Sequence, residues 1–65
     1  SNVSNDILDK EIAKVQKQSQ KILDFFERTT DLSKVNPQII NEKQQLLKSY
    51  ENHIQSIKEL YKYVI

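Results

Sequence analysis

Few side chains here can move a proton, hold a metal or attack a carbonyl. His53 is the single imidazole, and the 65 residues include no cysteine. Structural zinc is held by several Cys and His ligands, so that route is closed. A di-iron site inside a helical bundle needs Glu-x-x-His pairs, and none occurs. Asp6, Asp9 and Glu11 lie close together near a helix start. There the positive end of the helix dipole accounts for carboxylates without a metal. His53 reads either as a proton-responsive contact or as a partly solvated flank residue, and the second reading asks less of the sequence. No catalytic residue, cofactor site or metal site is expected, and the chain reads as a non-enzyme.

The second chemical pattern is a row of cations, Lys10, Lys14, Lys17 and Lys21, spaced by 4, 3 and 4 residues. Such a row could track phosphates along a nucleic acid. Three carboxylates stand nearby, the row contains no arginine or aromatic residue, and the formal net charge of the chain is +1. Those features fit the solvated outer face of a helix better. Asp6 with Lys10 and Asp24 with Arg28 lie four apart in the favourable order, as such a face often shows. A small nucleic-acid-binding bundle using the four lysines stays as an alternative.

Long helices must position these groups. Glycine is absent and proline occurs once, at Pro37, where average usage would give about four to five glycines. Strands and tight turns lean on glycine, so the composition predicts uninterrupted helix. No run approaches the ~18 apolar residues of a membrane span, and no signal-peptide pattern opens the chain. With no cysteine either, an intracellular setting is expected. Ser1 and Asn2 read as a pair that cloning could add.

Only Thr29 to Pro37, TTDLSKVNP, reads as punctuation, because its short polar side chains compete for backbone hydrogen bonds and Pro37 lacks an amide. Asn36 is placed to cap a helix with Pro37 at its first position. Val35 and Ile40 can staple that start. Ser4, Val3 and Leu8 repeat the arrangement upstream. The expectation is one domain over 1–65: helix 1 about 5–29, a loop over 30–36, and helix 2 about 37–64. A connection of that length folds two helices back on each other.

The apolar spacing then names a seam. It runs Leu8, Ile12, Val15, Ser19, Ile22, Phe26 in helix 1 and Leu47, Tyr50, Ile54, Ile57, Tyr61, Val64 in helix 2, with Ile40 a heptad earlier. These are the a and d positions of a coiled coil. Pairing residues whose numbers sum to 69 stacks Ile22 on Leu47, Val15 on Ile54 and Ile12 on Ile57. It also sets the small Ser19 against the large Tyr50, as interdigitated layers require. The fold class is therefore all-α, a two-helix antiparallel coiled-coil hairpin expected to assemble into a four-helix bundle or to dock on partner helices.

The flanks of that seam differ. The e positions carry Asp9, Gln16, Gln44, Glu51 and Lys58, a polar flank broken by Leu23 and Ile65. The g positions carry Phe25, Ile39, Leu46 and Leu60, with Glu11, Gln18 and His53 between them. A two-helix seam leaves the apolar members of that stripe wet, and such stripes mark contact surfaces. Tyr63 and Ile65 add apolar groups at positions the hairpin does not use. Either the chain continues past Ile65 or another subunit covers that end. The expected protein interface is thus Phe25, Ile39, Leu46, Leu60, Tyr63 and Ile65. The function expected is interaction, oligomerisation or scaffolding through helices, by self-association or with another chain. An inhibitory hairpin seated in the helix-binding groove of an enzyme is a further alternative.

Overall fold

The computed structural model describes residues 3–64, with side chains from residue 5 onward. Within that range the protein is all-helical, and two helices pack against each other. Helix α1 spans Val3–Arg28, a short 3-10 turn spans Leu32–Lys34, helix α2 spans Pro37–Leu60, and a final 3-10 turn spans Tyr61–Tyr63. The described backbone contains no strand and no residue with positive φ. Its extents are 51 × 16 × 10 Å. At about 1.5 Å per residue, the 26-residue α1 alone runs about 39 Å.

Both helix boundaries in the middle of the chain have local causes. The last turn of α1 closes on the Phe25 carbonyl, which accepts from the Thr29 amide at 3.1 Å and from the Thr29 hydroxyl at 2.6 Å. A helix end leaves carbonyls without partners, and Thr29 satisfies one of them twice over. At the start of α2 the Asn36 carboxamide oxygen accepts from the Gln38 amide at 2.8 Å, with Pro37 at the first helical position. Val35 and Ile40 on either side of that cap are half-buried. Between the helices the chain does more than break. Asp31 accepts from the Ser33 amide at 3.0 Å and from its hydroxyl at 2.5 Å, folding a 3-10 turn onto itself.

The outer boundaries differ from those expected. Helix α1 is already formed at Val3, so Ser4 lies inside it and is not its cap. The proposed staple of Val3 on Leu8 falls outside the described side chains. At the other end α2 gives way at Tyr61 to the tighter 3-10 turn, closed by the Val64 amide on the Tyr61 carbonyl at 3.2 Å. Tightening of this kind pairs carbonyls that a plain α-helix would leave open.

The core lies along the seam. Among the described residues Val15, Ile22 and Ile57 are the buried side chains, and none of them is completely enclosed. Every other a or d residue named from the spacing, from Leu8 to Val64, is half-buried. Ser19 turns its hydroxyl back to the Gln16 carbonyl at 2.9 Å, so a small polar residue occupies the seam with its hydrogen bond made. No polar or charged residue is buried among the described residues. Two helices can bury one stripe each, and the rest of both surfaces stays in water.

Candidate interaction surface

The g flank is defined by the heptad spacing. Heptad spacing assigns Glu11, Gln18 and Phe25 of α1 to the same side as Ile39, Leu46, His53 and Leu60 of α2. Contacts across the helices bear on this placement. His53 Nε2 lies 3.8 Å from Glu11 Oε1, an ion pair when the imidazole is protonated. Nearer the loop the Lys43 ammonium sits 4.5 Å above the centre of the Phe25 ring.

Along this flank Ile39 is 42% exposed, Leu46 44% and Leu60 48%. Ile39 and Leu46 are one heptad apart and Leu60 is two heptads beyond Leu46, so the three share one line on α2 that His53 interrupts. Phe25 differs from them. It is half-buried, meets Phe26 edge to face with centroids 5.3 Å apart, and has Lys43 over its ring. A cation on an aromatic face at such a site contributes about 0.5–1 kcal/mol. Phe25 therefore takes part in the two-helix packing as well as in the stripe. Tyr63, at 79%, is the most exposed of the large hydrophobic residues described. Ile65 lies outside the described residues. Ile7, Leu23 and Leu32 are exposed as well, away from the g positions.

Two roles were missed from the spacing. Lys43 occupies the d position between Ile40 and Leu47, a step the apolar pattern skips. It is half-buried, since a lysine can lay its stem along apolar surface while its ammonium stays wet. Asp9 was assigned to the helix dipole, yet it accepts a hydrogen bond from the Tyr61 hydroxyl, tying the end of α2 to the start of α1. The hydroxyl's pKa is raised above the usual phenol value. The hydrogen bond to Asp9 is the main cause, followed by desolvation and the charge of the same carboxylate.

The lysine row is a solvated face. Lys10, Lys14, Lys17 and Lys21 are all exposed. The pairs Asp6–Lys10 and Asp24–Arg28 do not close. Asp24 instead accepts from Gln20 Nε2 at 2.9 Å, and the ion pairs among the described residues are Glu11–His53 and Glu59–Lys62. Among the described residues no pocket opens, and no group of three or more His, Cys, Asp or Glu side chains comes together. No described helix is long and apolar enough to cross a membrane.

Compared with family models, curated proteins and solved structures, the chain matches none of them.

Proposed function

We propose that this chain is an antiparallel coiled-coil hairpin whose g flank docks on other helices, making it a non-enzymatic interaction and assembly module. The antiparallel arrangement is supported by three contacts, Asp9 with Tyr61, Glu11 with His53, and Phe25 with Lys43. Positions rising along α1 meet positions falling along α2. The observation that carries the docking role is the line of Ile39, Leu46 and Leu60, each more than two-fifths exposed, beside a core of three buried side chains. Apolar surface left in water forgoes about 25 cal/mol for each Å². Covering this line with another helix recovers that stabilisation, and a small core stands to gain most from it.

The test is the association state. Leu46→Asp or Leu60→Asp places a charge on the flank without touching the seam. Each should lower the mass measured by sedimentation while leaving residual helicity by circular dichroism. A stably folded helical monomer of the unmodified chain, indifferent to both substitutions, would sink the proposal.

A further inference from the structure

We draw no further inference here: the strongest candidate, the exposed line of Ile39, Leu46 and Leu60 on α2, carries nothing beyond the docking role proposed above, because nothing in the structure shows what covers it.

Discussion

The two ends of the helix pair are closed in different ways. At the loop end the bonds are local: Thr29 on Phe25, Ser33 on Asp31, Gln38 on Asn36. Each joins residues no more than four apart, so this end can form before the helices meet. The end away from the loop is held to α1 by Tyr61 on Asp9, a pair 52 residues apart, and by half-buried side chains such as Leu8 and Val64. One end is set by short-range chemistry, while the other depends on the whole pair being assembled. Local opening should therefore begin at the end away from the loop, whose tie between the helices is the long-range bond of Tyr61 to Asp9.

Three substitutions probe that asymmetry. The largest effect belongs to Ile57→Ala. Ile57 is the one buried side chain of α2, at 4% exposure, and truncating a buried Ile costs about 2–5 kcal/mol. That is comparable with the whole stability of a small domain. Chemical denaturation should show the loss. Amide exchange should show the final turns of α2 opening first; equal acceleration at Asn36 and Tyr61 would erase the distinction between the ends. Asn36→Ala comes next. Removing a helix N-cap costs about 1 kcal/mol, and the faster exchange should stay within the first turn of α2.

The smallest effect is expected from Tyr61→Phe, which removes the hydroxyl held by Asp9. Because the folded state raises the hydroxyl's pKa, the bond supports folding at pH values below the unfolded phenol value of about 10. Its contribution is lost as pH rises through the folded value. Melting temperatures of the unmodified chain and the variant should accordingly differ slightly at neutral pH and converge in strong alkali. A constant gap across that range would mean that the hydroxyl contributes nothing through this bond.

The same asymmetry divides what could be read from the sequence. The cap at Asn36 was legible because donor and acceptor are two residues apart and Pro37 permits no helix interior there. The seam was legible because burial repeats with the helix period, and Val15, Ile22 and Ile57 all fall on it. The Asp31 turn was seen only as an interruption, because three residues of 3-10 helix leave no periodic trace. Lys43 was passed over because its charge hides a half-buried stem. Tyr61 on Asp9 could not be foreseen, since no local rule pairs residues so distant. On the candidate surface, spacing located Ile39, Leu46 and Leu60 on one flank. It did not reveal that Phe25 is already engaged with Phe26 and Lys43, because periodicity assigns a residue to a face without saying what its ring touches there.

The elongated shape has a hydrodynamic consequence. A rod 51 Å long and 16 × 10 Å across has a larger Stokes radius than a sphere of equal mass. A single chain should thus leave a gel-filtration column ahead of compact proteins of its size. Pairing side by side would thicken the rod without lengthening it, so the elution volume would shift less than a doubling of mass suggests. In rotational diffusion the same thickening would appear as tumbling that becomes slower and more nearly isotropic together.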